Sequence, residues 1–317
     1  MTQRRRRIAE VGEHRWLREL LGALRRDGTG VWIGPGDDAA VLRPERRPWV
    51  VTTDAQRAGV HFRPGWWSWR DLGRRAFLAS ASDVAAMGAA PRAALLALEV
   101  PPRFDVAALS VFVRGFAAEA RRHGGALIGG DVSAGPRFGA TSTVLGIPRG
   151  RVVTRAGARP GDAILITGRL GATAWAIRER RAGRRVRMPL PPARFAGGAA
   201  VAPLASAMID VSDGLLQDMG HLCRASRVRA LLELDRLPVA APMRALGRRG
   251  RLLAATGGED YELLFTIPVA RLARLARARP GCRITRIGTV VRGSGVVLRD
   301  AGGRTVQASH AGFDHFA

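Results

Sequence analysis

Scarce carboxylates are the chemistry-bearing feature of this chain: 26 Asp and Glu stand against 51 basic residues, yet several acids sit beside glycines or inside apolar runs. Gly34-Pro35-Gly36-Asp37-Asp38-Ala39-Ala40-Val41 leads a glycine turn and two carboxylates into an apolar stretch. Successive strand side chains point oppositely, so one of the pair, Asp38 or Asp37, reaches a given ion. Val50-Val51-Thr52-Thr53-Asp54 closes a β-rich run with two hydroxyls and a carboxylate, hard oxygen donors suited to Mg2+, and His61 follows shortly after. Asp83 lies in a helix-like apolar run over 76–87, where a charge is costly unless paired, metal-bound or at a surface. Ile128-Gly129-Gly130-Asp131 lets backbone approach a phosphate while the carboxylate holds a cation. Ile209-Asp210-Val211-Ser212-Asp213-Gly214 takes a strand into a helix whose first N–H groups can bind phosphate oxygens. Gly257-Gly258-Glu259-Asp260-Tyr261-Glu262 sets three acids ahead of a strand.

Each motif also has a purely structural reading. These are a polar turn at 34–38, a packing histidine at His61, a cap by Asp83 for a helix starting at Val84, a tight turn at 129–131, and an N-cap at Ser212 or Asp213. Taken together, aspartates at strand and helix ends beside glycines are what multi-metal phosphoryl transfer requires, because metal ions bridge the phosphates, neutralise their charge and align donor with acceptor. Arg155 is a candidate phosphate ligand only in that context.

The elements that position these residues follow from periodicity. A helix over 13–26 places Trp16, Leu17, Leu20, Leu21 and Leu24 on one stripe. β-rich pieces follow over 31–33, 49–53 and 59–62, then a helix over 71–88, a strand over 93–100, a helix over 106–123, a short strand over 126–128 and an extended stretch over 141–153. The turn at 157–161 marks a domain boundary, giving domains 1–156 and 157–317. The second half repeats helix and strand: helices at 172–181, 195–207 and from Gly214, with strands at 163–167, 208–211, 230–234 and 261–267 and a last helix–strand pair. That alternation implies an α/β or α+β fold.

Composition narrows the chemistry further. All 51 Lys+Arg residues are arginine. This excludes a Walker A loop, a protein-kinase lysine, a Schiff base and a pyridoxal phosphate anchor. Phosphate chemistry must then rely on metal ions, arginine and backbone N–H groups. A net charge of +25 favours polyanions, but the arginines are spread along the chain, with pairs such as Arg25-Arg26, Arg74-Arg75 and Arg121-Arg122 read as exposed helix faces, so no specific nucleic-acid partner is expected. No apolar run reaches the ~20 residues of a membrane span, and no signal-peptide core follows the basic start, so a soluble cytoplasmic protein is expected. Cys223 and Cys282 are read as free and buried.

In order along the chain, these segments resemble the motif series of the thiamine-monophosphate kinase family, within the aminoimidazole-ribotide-synthetase-like superfamily. Gly36-Asp37-Asp38-Ala39-Ala40-Val41-Leu42 is similar to its first metal loop, and Thr52-Thr53-Asp54 with Gly59-Val60-His61-Phe62 to its second segment. Asp71-Leu72-Gly73 through Ser82-Asp83-Val84 to Ala89, Gly129-Gly130-Asp131, Arg155 to Asp162, Ile209 to Leu215, Gly257 to Leu263, and Gly312-Phe313-Asp314-His315-Phe316 follow in family order. The departures are Pro35, Val132-Ser133-Ala134, Phe313 in place of a polar-tipped aromatic, and the Arg/Pro-rich connection before Phe195.

The resemblance implies phosphorylation of thiamine monophosphate to thiamine diphosphate by ATP, with several Mg2+ ions and no covalent enzyme intermediate. It implies magnesium ligands at Asp38, Thr52, Thr53, Asp54, Asp83, Asp131, Asp210 and Asp213. Nucleotide contacts would come from Gly130, Asp131, Arg155 and Ser212, and contacts to the thiamine side from His61, Glu259 and Phe313. In fold, it implies a two-domain α/β (α+β) architecture: an N-terminal domain that forms a dimeric β-barrel with a second copy, and a C-terminal α/β domain closing over the nucleotide. The alternatives are a sister ATP-dependent enzyme of the superfamily, an inactive thiamine-phosphate binder, and a basic nucleic-acid-binding protein.

Overall fold

The computed structural model describes residues 6–23, 30–35, 39–308 and 310–313. These divide into two compact units: the chain as far as Val84 with Ala90–Ile147, and Ala85–Ala89 with the chain from Pro148.

The first unit is built on α1 (Ile8–Val11), α2 (Glu13–Ala23), β1 (Val31–Ile33), β2 (Val41–Leu42), β3 (Val50–Arg57), α3 (Trp69–Ala86), β4 (Ala89–Val100), α4 (Val106–Arg122), β5 (Ala126–Ala134) and β6 (Gly139–Pro148). α4 forms because its apolar residues recur at helical spacing: Val106, Leu109, Phe112, Val113, Phe116, Ala117 and Ala120 are all buried. The Asp105 carboxylate caps it by accepting the Ala107 N–H at 2.9 Å. α4 lies against α3 at glycine contacts, since a Cβ on Gly73 would run into the Phe112 carbonyl and one on Gly115 into the Arg70 carbonyl. Phe77 and Phe116 then meet edge to face, 5.5 Å between centroids.

The main sheet of this unit runs β3-β6-β4-β5. β3 and β6 are antiparallel, with Thr53 opposite Thr143 and Asp54 opposite Ser142. β5 lies parallel to β4, returned by α4, with Asp131 opposite Ala97. The sheet is open, with β3 and β5 at its edges, and the described strands close no barrel within the chain.

The second unit contains β7 (Ala163–Thr167), α5 (Ala172–Arg181), α6 (Phe195–Val201), β8 (Ala207–Asp210), α7 (Leu215–Ser226), β9 (Arg229–Glu233), α8 (Ala241–Ala245), α9 (Gly247–Thr256), β10 (Leu263–Ile267), α10 (Leu272–Arg277), β11 (Ile284–Val291) and β12 (Gly295–Arg299). Its six strands run in the order β12-β9-β11-β7-β10-β8. Despite the alternation of helices and strands, only β12 and β9 pair in parallel; the other four ladders are antiparallel. β7, β8 and β10 are buried along their whole length, and their apolar side chains join Leu215, Met219 and Leu222 of α7 in one core. Apolar burial of this extent is the main stabilising term, about 25 cal/mol per Å² removed from water.

Several expectations are corrected. Residues 59–62 make a turn rather than a strand: Gly59 sits at φ 88° and its N–H meets the Phe62 carbonyl at 2.8 Å. β5 runs through Gly129, Gly130 and Asp131 instead of turning there. The expected helix over 71–88 does carry Asp83 in its interior, so the alternative reading of Asp83 as a cap falls away. α8 and α9 fall where the sequence reading assigned no element. Arg75 is 2% exposed rather than on a solvated face. Cys223 and Cys282 are free, the first buried and the second half-buried.

Candidate active site

In the first unit, strand alternation on β3 leaves Val51 and Thr53 exposed while Thr52 and Asp54 are half-buried. The Thr52 hydroxyl donates to Asp83 Oδ2 at 2.6 Å. This contact satisfies the one carboxylate in an otherwise apolar stretch of α3 and aims it toward the sheet. Asp54 Oδ1 accepts the N–H of its own successor, Ala55, at 2.9 Å. Thr53 Oγ1 accepts from Thr143 Oγ1 at 3.1 Å, so the hydroxyls of β3 and β6 form one polar row.

Asp131 is exposed on β5. Gly130 precedes it in the strand for a steric reason: a Cβ there would run into the Leu96 backbone of β4. His61 sits in the turn after β3, where its Nδ1 accepts the Arg57 N–H at 3.0 Å. The buried Arg75 guanidinium holds that turn from α3, donating to the His61 carbonyl at 3.3 Å and to Gln56 Oε1, with the Trp67 ring 5.2 Å away. Asp38 lies outside the described residues.

In the second unit, β8 ends at Asp210, which is 3% exposed and paired in register with Leu263 of β10. The chain then passes through half-buried Ser212 and Asp213 into α7. Gly214, at φ 130°, is the N-cap residue, so neither Ser212 nor Asp213 caps the helix with its side chain. Asp218 does that work from inside: its Oδ2 accepts the N–H groups of Asp213 and Gly214, each at 3.1 Å. Burial, followed by the neighbouring Asp213 charge, outweighs these donors and pushes the Asp218 carboxyl up to about 7. One turn on, burial and then the charges of Arg224 and Arg155 hold the His221 imidazole below its ordinary value.

Around this helix start the other expected residues gather. The Phe313 N–H donates to the Asp213 carbonyl at 2.9 Å, and Gln217 Nε2 donates to the Phe313 carbonyl at 2.9 Å, while the Phe313 ring stays 48% exposed. The Glu259 N–H donates to the Ser212 carbonyl at 2.7 Å. At the far end of α7, the Ser226 hydroxyl donates to the Arg155 carbonyl at 2.9 Å and accepts the N–H groups of Gly157 and Ala158 at 3.2 and 3.1 Å, fixing the loop that carries the exposed Arg155.

The acids of the 257–262 segment divide. Glu259 meets the Ser212 strand exit through its backbone, whereas both Asp260 oxygens accept the Gly171 N–H at 2.8 and 2.9 Å, at the start of α5. Burial outweighs that donor and holds the Asp260 carboxyl well above the usual range. Glu262 forms a two-pronged ion pair with Arg194, at 2.5 and 2.6 Å, and accepts from Thr167 Oγ1 at 2.6 Å. Asp260 and Glu262 are thus structural. The Arg/Pro-rich connection supplies Arg194, which sequence reasoning left without a role.

Among the described residues, one group of three His, Cys, Asp or Glu side chains brings its ligand atoms within 4.8 Å of one another: Asp213, Asp218 and His221. The carboxylates Asp54, Asp83 and Asp131 form no such group. Asp218 and His221 were missed, although their three-residue spacing on an amphipathic helix is a readable signal. The two carboxylates of this group fit magnesium, which uses one or two carboxylates with waters and substrate phosphates rather than a full protein cage, whereas the His221 imidazole is not a donor of that kind. Asp218, costly to ionise beside Asp213, is a carboxyl that a divalent cation would help to ionise.

Residues 36–148 match the family described as AIR synthase related protein, N-terminal domain. Over nearly its whole length the chain is similar to the thiamine-monophosphate kinase of Salmonella typhimurium, 36% identical with 96% of this chain and 98% of that protein covered. It superposes on the crystal structure of thiamine-monophosphate kinase from Stenotrophomonas maltophilia, 34% identical, with TM-score 0.79 over 92% of this chain and 95% of that one. A structure of AaThiL complexed with AMPPCP and TMP is 27% identical, with TM-score 0.76 and full coverage of both chains.

Proposed function

This chain belongs to the thiamine-monophosphate kinase family, and from that premise we propose that it transfers the γ-phosphoryl group of ATP to the phosphate of thiamine monophosphate, giving thiamine diphosphate and ADP. The observation that carries this reading is the gathering of Ser212, Asp213, Glu259 and Phe313 at the start of α7, within a fold shared along its full length with AaThiL in complex with AMPPCP and TMP.

Magnesium would be held by Thr52, Thr53, Asp54, Asp83 and Asp131 in the first unit, together with Asp38, and by Asp210 and Asp213 in the second. Bound there, it neutralises phosphate charge and lowers the barrier to attack at the γ-phosphorus. The chain's own contributions are orientation and charge. The Thr52 hydroxyl orients Asp83, and Gly130, exposed beside Asp131, leaves the β5 backbone open to the nucleotide. Arg155, on a loop pinned by Ser226, and Ser212 contact nucleotide phosphates. His61, Glu259 and Phe313 recognise the thiamine side, Phe313 through its exposed ring face. The acceptor is an ionised phosphate and already nucleophilic, so no side chain need remove a proton. Transfer is direct, without a phosphoenzyme.

The active form is a cytoplasmic homodimer whose N-terminal sheets join into a β-barrel. Support comes from the open four-stranded sheet, which leaves apolar Val51 (59% exposed) and Leu95 (37% exposed) on its outer surface. The test of direct transfer is the fate of label from γ-labelled ATP. Label recovered in thiamine diphosphate with none on the protein is the expected result; a stoichiometrically labelled protein contradicts it.

A further inference from the structure

Two residues of the 257–262 segment that are not glycine adopt left-handed backbone: Glu259 at φ 68° and Tyr261 at φ 51°. Such conformations cost about 1–2 kcal/mol each and persist only where the surroundings over-determine them, which is why they concentrate at functional sites. The determinants are visible. On one side the Glu259 N–H is held by the Ser212 carbonyl at 2.7 Å, and the Tyr261 N–H by the Val211 carbonyl at 2.7 Å. On the other side the Thr173 hydroxyl donates to the Glu259 carbonyl at 3.0 Å, and Asp260 clamps the Gly171 N–H. The segment has no room to relax: a Cβ on Gly258 would lie 2.6 Å from the Ser212 carbonyl, and one on Gly257 2.6 Å from Ala174 Cβ. α5 has no side-chain cap of its own, and Asp260 together with Thr173 ties its start to this segment.

We infer that Thr173 is a positioning residue for substrate recognition, holding the Glu259 backbone so that its carboxylate is presented to the thiamine side of the acceptor, with Asp260 locking α5 in place to let it do so. The inference rests on the reading of Glu259 as a substrate contact. Thr173 is buried, and its hydroxyl acts through the Glu259 carbonyl. Removing that hydroxyl while keeping the side-chain shape leaves Asp260 alone to hold the strained turn from the α5 side.

The experiment uses the full chain as wild type, Thr173→Val and Thr173→Ser. Thr173→Val is expected to raise KM for thiamine monophosphate about tenfold, the effect of one lost hydrogen bond, while kcat and KM for ATP change less than about twofold, and Thr173→Ser is expected to restore the wild-type value. In a Glu259→Gln background the same substitution should add little, because both act on one interaction. An unchanged KM, an equal loss in kcat, or full additivity with Glu259→Gln overturns the inference. Amide hydrogen exchange over 258–261, measured without substrate, reads the clamp independently: faster exchange in Thr173→Val supports it and unchanged exchange rejects it. A wild-type protein that does not phosphorylate thiamine monophosphate rejects the proposed function instead, and exchange then decides the clamp alone.

Discussion

The hydroxyl of Thr52 on β3 donates to the carboxylate of Asp83 on α3 across 2.6 Å, joining an edge strand to the apolar C-terminal stretch of that helix. A hydrogen bond of this kind fixes the direction in which the carboxylate presents its lone pairs, and partners of metal ligands set affinity about as strongly as 10–100-fold. Thr52→Val is therefore expected to raise the Mg2+ concentration for half-maximal activity by about tenfold, with a small change in thermal midpoint. A magnesium titration that superposes on the wild-type curve would show that Asp83 does not depend on Thr52.

Asp131 is exposed on a strand whose ladder with β4 is made by the backbone, so its carboxylate contributes little to folding. Asp131→Asn should lower turnover on the order of a hundredfold, the scale of several kcal/mol of lost charge stabilisation, without moving the unfolding midpoint. Near-normal turnover removes Asp131 from the metal and nucleotide set.

Breaking the Arg194–Glu262 pair tests the structural side. Glu262 is buried and Arg194 mostly so, and removing one partner of a buried pair leaves an uncompensated charge at a cost of about 3–5 kcal/mol. Arg194→Met should destabilise the protein by that order in urea unfolding, and Arg194→Met combined with Glu262→Leu should cost less than Arg194→Met alone. A double variant worse than the single would mean that Thr167 and the backbone N–H groups, not Arg194, are the partners that matter.

Asp260 gives a pH signature. Its carboxyl is raised in the folded protein, so between the ordinary carboxylate range and its higher folded value the native state holds a proton that the unfolded chain has released. Stability from this group is complete below the unfolded value and declines as pH rises toward the folded one, at up to about 1.4 kcal/mol per pH unit. Asp260→Asn, which cannot ionise, should flatten that decline in urea unfolding measured from pH 5 upward. A variant whose stability falls as steeply as the wild type would place the titrating group elsewhere.

Much of this was legible from residue order. The helices over 106–123 and 172–181 and the strand at 163–167 follow from periodicity and return as α4, α5 and β7, because each element buries a single clear face or an all-apolar run. What escaped was decided by contacts distant in sequence. Gly129 and Gly130 read as a turn but continue β5, because the close approach of Leu96 requires glycine there. Arg75 read as surface charge, yet the partners that bury it, Gln56 and the His61 carbonyl, lie 19 and 14 residues earlier. The acids Glu259, Asp260 and Glu262 stand together in sequence, but with left-handed backbone at Glu259 and Tyr261 the Asp260 carboxylate meets the Gly171 N–H and Glu262 meets Arg194. Within the C-terminal candidate site, sequence order supplied Asp213 but not Asp218, whose burial inside α7 is visible only once the helix packs.

The central claim is the reaction itself, and the direct measurement is thiamine diphosphate formation from ATP and thiamine monophosphate, with and without Mg2+, using unphosphorylated thiamine as the control acceptor. The account predicts product only with thiamine monophosphate and only with Mg2+. A folded, ATP-binding protein that forms no thiamine diphosphate under these conditions, or that phosphorylates thiamine equally well, would contradict it.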